Sequence, residues 1–119
     1  PGDLRLYPWM TLRSGLALVG RVRGRDLRRA GPALAERFRL EPRLPARSMS
    51  RGTRQKLGLI LALAARPRLL VLDEPSVGLH GVEVRRLIDL LQDMVNQGNT
   101  VLVIEHHVEE IGRAVQQEC

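Results

Sequence analysis

Helical spacing of apolar residues dominates the first half of the chain, and two short continuous apolar runs mark the second. In "TLRSGLALVGRVRG", Thr11 is a candidate cap and Leu12, Leu16 and Val19 recur near helical spacing, although Gly15, Gly20 and Gly24 weaken the pattern. "GPALAERFRL" predicts a second short helix, with Pro32 in a first turn that tolerates it and Leu34, Phe38 and Leu40 on one face. Pro42 and Pro45 then interrupt regular structure, so residues 41–52 read as loop. From Thr53 to Ala65 nearly every position after Lys56 is apolar, the pattern of a helix enclosed by protein.

"LLVLDEP" reads as a short strand ending in two carboxylates, and its unbroken apolar run predicts a parallel strand buried on both faces. The helix that follows, in "GVEVRRLIDLLQDMVNQG", places Val84, Leu87, Ile88, Leu91 and Val95 on one stripe, and Gly98 supplies its stop. "NTVLVIEHH" predicts a second buried strand, and "VEEIGRAVQQ" a last, weakly amphipathic helix. Strand, helix, strand, helix in this order predicts a right-handed crossover in a parallel sheet, hence an α/β chain. Two parallel strands alone leave unpaired backbone edges and uncovered apolar surface, so further strands are expected.

Composition changes this picture in two ways. Aromatic residues are only 3% of the 119, so the core rests on Leu, Val, Ile and Ala. The net charge of +6 conceals a division: residues 1–68 carry fifteen arginines and one lysine against four acids, net +12, whereas residues 69–119 carry three arginines against nine acids, net −6. A basic half suits nucleotides, nucleic acid or an anionic membrane surface, and an acidic half suits a metal ion; arginines that only solvate helix faces remain the plain alternative. The single cysteine, Cys119, fits a reducing compartment, and no signal peptide or apolar run near the ~20 residues of a membrane span is present. A cytoplasmic chain docked on a membrane partner is expected.

Three places carry chemistry. Asp73 and Glu74 stand at the carboxyl edge of their strand, where open α/β sheets bind ligands; one carboxylate there can hold a magnesium ion and the next can orient the water attacking a phosphate. A polar strand end with Pro75 as turn former is the simpler account of the same residues. In "SMSRGTRQK", backbone N–H groups from Gly52 to Arg54 and the hydroxyl of Ser50 favour an anion at a helix start, although an isolated Ser-x-Gly is most often an ordinary cap. His106 follows the second strand on the sheet edge shared with Asp73 and Glu74, within reach of a terminal phosphate, whereas a lone histidine after a strand is usually solvated loop.

Together these elements resemble the ABC ATPase family. "MSRGT" occupies the place of the signature segment, "LLVLDE" that of Walker B, "PSVGLH" that of the D-loop and "VIEH" that of the switch histidine. The resemblance implies a partial P-loop NTPase fold of the ABC type, α/β, with parallel strands, covering helices and a small helical subdomain. Residues 1–48 would form that subdomain, and residues 49–119 the signature helix with the C-terminal half of the ATPase core. It implies ATP and Mg²⁺ as cofactors: Asp73 would organise the metal, Glu74 and His106 would be catalytic, and Ser50, Arg51, Gly52 and Thr53 would contact the γ-phosphate. That ATP would be held mainly by a second nucleotide-binding domain, with a membrane permease as further partner and a location at the inner face of the cell membrane.

Arg51 and Thr53 replace the glycine and glutamine of the usual signature, but "SRGTRQK" looks like the variant common in bacterial ABC-2 type exporters, which residues 1–79 resemble, although His80 stands where exporters carry aspartate. Residues 79–111 look more like UvrA-type excision-repair ATPases, so a DNA-repair element that engages DNA is the alternative, with a non-enzymatic remnant or chimera as a third. No G-x-x-x-x-G-K-[ST] occurs, and the only lysine is Lys56. The expectation is therefore the C-terminal portion of a nucleotide-binding domain, inactive by itself.

Overall fold

A computed structural model describes residues 6–105. Its elements run α1 (Leu12–Arg23), α2 (Ala30–Arg37), a 3-10 turn (Ala46–Ser48), α3 (Arg51–Ala64), β1 (Leu69–Asp73), α4 (Gly81–Asn96) and β2 (Thr100–Ile104). The contacts divide them into two compact units, Pro1–Arg66 and Pro67–Cys119. The expected terminal helix after residue 107 lies outside the described residues. Among those residues no helix is long and apolar enough to cross a membrane.

The first unit is helical because its turns are well terminated despite poor helix formers. Thr11 caps α1 reciprocally: the Ser14 N–H donates to Thr11 Oγ1 at 3.2 Å and the Thr11 N–H donates to Ser14 Oγ at 2.9 Å. Gly24 ends the helix in the left-handed region, with φ of 66°. The glycines that weaken α1 as a helix let it pack: a Cβ on Gly15 would lie 3.0 Å from a Leu61 methyl of α3. At Gly20 a Cβ would come within 2.5 Å of the Arg25 carbonyl oxygen, which the chain brings back over the helix. Asp26 then takes a fork of two hydrogen bonds from the Arg28 guanidinium, at 3.0 and 3.1 Å, and a third from the Arg28 N–H. These bonds hold its carboxyl down at about 2. Their contribution is present above the ordinary carboxylate range and is lost as pH falls through that value.

Phe38, Leu57 and Ile60 form the centre of this unit with no exposure at all, and Leu12, Leu16, Leu34 and Ala35 surround them. The loop expected at residues 41–52 contains the 3-10 turn, which is tied to the preceding chain by the Ala46 N–H on the Met10 carbonyl and the Arg47 N–H on the Pro8 carbonyl.

In the second unit β1 and β2 pair in parallel, from Leu69 opposite Thr100 to Asp73 opposite Ile104. Here the sequence expectation needs correction. Neither strand is buried on both faces: Leu70 and Leu72 are buried, but Leu69, Val71, Leu102 and Ile104 are 61%, 54%, 53% and 45% exposed. Paired positions of a parallel ladder share a face, so these four lie together on one side. A two-stranded sheet among the described residues leaves that side open. The stripe of α4 also differs at its end. Val84, Leu87 and Ile88 are buried as expected, whereas at the end of the helix Met94 is buried and Val95 is 52% exposed. Glu83 is buried in the first turn of α4, where the positive end of the helix favours a carboxylate.

Two substitutions test the packing of the first unit. Phe38→Ala is expected to lower the free energy of urea unfolding by about 3–5 kcal/mol, while Leu18→Ala, at a surface position, stays within about 0.5 kcal/mol. Gly20→Ala is expected to cost about 1–3 kcal/mol through its clash with the Arg25 carbonyl.

Candidate functional site

The carboxyl edge of the two-stranded sheet is where the second unit gathers its polar groups. β1 ends at Asp73, exposed to solvent, and Glu74 follows with φ of 49°, in the left-handed region that side chains with a Cβ avoid. Regular extension therefore stops at that residue. Its N–H still donates to the Ile104 carbonyl at 2.7 Å, which adds one ladder bond beyond the strand, and its carbonyl accepts from the Val77 N–H at 3.2 Å.

Ser76, buried, donates its N–H to Oε1 of Glu105 at 2.9 Å, a bond between residues 29 apart in sequence. The Ser76 carbonyl accepts from the Leu79 N–H at 3.0 Å, so two successive turns carry the chain to His80. His80 precedes α4 with extended backbone and makes no side-chain cap bond.

Strand pairing thus places Asp73, Glu74 and Glu105 at one edge: Asp73 and Glu74 by succession, and Glu105 because it follows Ile104, the partner of Asp73. Adjacent carboxylates that accept hydrogen bonds and donate none suit a small hard cation shared with phosphate oxygens, the usual coordination of Mg²⁺. A carboxylate fixed beside such an ion can orient water. Neither role needs a cage of protein ligands.

In the first unit Ser50 is the cap of α3. Its backbone is extended, its Oγ accepts from the Thr53 N–H at 3.1 Å, and its carbonyl accepts from the Arg54 N–H at 2.9 Å. The ordinary cap expected as the simpler account is therefore present. It does not exhaust the chemistry, because Ser50 Oγ and Thr53 Oγ1 lie 2.8 Å apart and share one hydrogen. Two hydroxyls carry two protons, so the pair keeps one to donate outward. Arg51 is exposed and Gly52 half-buried at the same helix start, where the dipole favours an anion.

Ser50, Arg51, Gly52 and Thr53 thus belong to the first unit, and Asp73 and Glu74 to the second. His106 lies outside the described residues. Sequence reasoning passed over Glu105. A charged residue directly after a buried-looking apolar run was the available signal, but the adjacent histidine drew the chemistry.

Comparison with known proteins gives a consistent answer. Residues 6–110 match the family described as "AAA domain, putative AbiEii toxin, Type IV TA system". The whole chain is 32% identical to 42% of the uncharacterized ABC transporter ATP-binding protein YhaQ of Bacillus subtilis (strain 168). Over 56% of its length it is 44% identical to 8% of the UvrABC system protein A of Aquifex aeolicus (strain VF5). Among solved structures, one titled "Structure of ATP binding subunit of ABC transporter" superposes with a TM-score of 0.83 at 28% identity, over 96% of this chain and 50% of that one. The chain spans less than half the length of the curated ABC relatives it matches.

The Ser50 cap makes a prediction independent of any ligand. Ser50→Ala is expected to destabilise the chain by about 1 kcal/mol and Ser50→Gly by only a few tenths, measured by thermal and urea unfolding. Equal losses for both variants count against the cap.

Proposed function

Because this chain belongs to the AAA-domain family, within its ABC-type ATPases, we propose that it supplies part of the ATP site of an exporter-type ABC ATPase. The observation that carries this reading is the strand end Asp73–Glu74, with Glu74 turned into the left-handed region at the carboxyl edge of a parallel pair. The resemblance to ABC ATPases supplies the roles, and charge and donor type are compatible with them. Asp73 holds Mg²⁺, and Glu74 accepts a proton from the water that attacks the γ-phosphate. Ser50 and Thr53, whose hydroxyl pair keeps one outward proton, join Arg51 and Gly52 in clasping the γ-phosphate of an ATP held mainly by a second nucleotide-binding domain. His106 senses the γ-phosphate. Mg²⁺, when bound, neutralises charge on the phosphate oxygens.

These 119 residues hold no lysine-bearing P-loop, so in a nucleotide-binding domain of this kind the cradle for the β- and γ-phosphates lies outside them. In this reading ATP joins two such domains, hydrolysis releases them, and the motion drives a membrane permease from the inner face of the cell membrane. In this reading the 119 residues, which hold no P-loop, neither bind ATP tightly nor turn it over alone. Similarity to YhaQ supports the transporter reading, and the alignment with the ATP-binding subunit supports the nucleotide.

A second reading is favoured by one specific observation, the higher identity to UvrABC system protein A over a shorter stretch, together with the +12 charge of residues 1–68. A DNA-engaging ATPase element has affinity for DNA that falls steeply with salt. The exporter reading requires none.

Two measurements test the proposal. The purified 119 residues are expected to release phosphate from ATP no faster than a buffer blank; turnover that disappears in Ser50→Ala overturns the half-site. In the full-length product of the gene, Glu74→Gln is expected to lower kcat for ATP roughly 10²- to 10⁴-fold while ATP still binds. A loss under about fivefold removes Glu74 from the water-orienting role.

A further inference from the structure

We propose that Glu105 is a positioning residue: by accepting the Ser76 N–H on Oε1 it locks, through Pro75, the left-handed backbone that sets where Glu74 projects at the strand edge. The inference rests on the ATPase reading for its functional consequence, but its structural half stands alone.

Glu74 needs holding. Left-handed backbone costs a residue with a Cβ roughly 1–2 kcal/mol, and a residue preceding proline is pushed toward extended conformations instead. Glu74 meets both penalties at once, so neighbouring structure has to over-determine it. One tether is its own N–H on the Ile104 carbonyl, at 2.7 Å. That bond fixes the peptide plane before Glu74, while the plane after it is held within the turn only by the longer bond from the Val77 N–H to the Glu74 carbonyl, at 3.2 Å.

The second tether is the Glu105 clasp, and it acts on the far side. Pro75 has its φ set by its ring, so fixing the Ser76 N–H leaves little freedom between that peptide and Glu74. The two anchors come from consecutive residues of the other strand, Ile104 and Glu105, one through a backbone carbonyl and one through a side chain. The backbone of Glu74 is thereby gripped from both sides by the end of β2.

The carboxylate itself indicates that this grip is its role. A glutamate on a sheet edge can leave both oxygens in water at no cost. Here Oε1 turns in to a backbone N–H of a buried serine, and Oε2 is buried with no hydrogen-bond partner among the described residues. Burying a carboxylate oxygen costs free energy, and a charge-assisted bond to one particular N–H is what offsets it. A residue that only solvated the strand end has no reason to adopt this geometry.

The test uses the isotopically labelled chain, with Glu105→Ala removing the acceptor and Glu105→Gln keeping an oxygen in the same place. The readouts are exchange of the Ser76 amide and the backbone couplings that report positive φ at Glu74. Glu105→Ala is expected to speed Ser76 exchange about tenfold or more and to abolish the positive-φ signature, and Glu105→Gln to restore both. Unchanged exchange and couplings in Glu105→Ala overturn the clasp, and so does a Gln variant that fails to rescue. In the full-length gene product, Glu105→Ala is expected to lower kcat for ATP roughly 10- to 100-fold with KM for ATP within about twofold. Unchanged kcat there overturns the positioning role. A wild-type product that hydrolyses no ATP sinks the ATPase reading, and the amide and coupling results alone then decide the clasp.

Discussion

The parallel register of β1 and β2 is the constraint from which the chemistry of this chain follows. Leu69 opposite Thr100 fixes every later pair, and the last of them sets Asp73 against Ile104. Because side chains alternate, a slip of one residue would move Asp73 to the other face and separate Glu74 from both of its anchors. The register is itself held at its end by the Glu74 N–H on the Ile104 carbonyl. Parallel strands cannot be joined by a tight hairpin, so α4 and its flanking turns must fold back before the ladder closes. The Ser76 to Glu105 bond, spanning the whole crossover, is the local signature of that closure.

Much of the helical architecture was legible because it depends on chemistry that sequence states directly. Thr11, Ser50 and Gly98 were readable as boundary residues from their cap chemistry and stand at helix ends in the structure, whereas Gly24, read only as weakening α1, ends it with φ of 66°. The apolar run after Lys56 likewise gave a helix with six buried residues. Burial of the strands was misread because a continuous apolar run states only that both faces avoid water somewhere. Which face is covered depends on what packs against it, and that information is not in the run.

The site was legible in the same uneven way. Asp73 and Glu74 could be placed at a strand end from "LLVLDEP" alone, since the apolar run and the proline bracket them. The left-handed turn at Glu74 could not, because single residues enter that region for reasons of tertiary bonding, and here the bonds come from 30 and 31 residues further along. Glu105 was passed over for the same reason. Its place after the apolar run was readable, but its partner is a backbone N–H 29 residues away, which the run does not record.

The division of charge takes on meaning when set beside these local geometries. An acidic strand edge offers acceptors only, so it can hold a cation and steer water but repels a phosphate. A capped helix start with a spare hydroxyl proton and an exposed arginine offers donors and no carboxylate, so it suits a phosphate better than a metal ion. A magnesium nucleotide presents both demands in one molecule: an ion that wants carboxylates and oxygens that want N–H and O–H groups. In this chain the acceptors of the strand edge and the donors of the helix start belong to separate units, the second net negative and the first net positive.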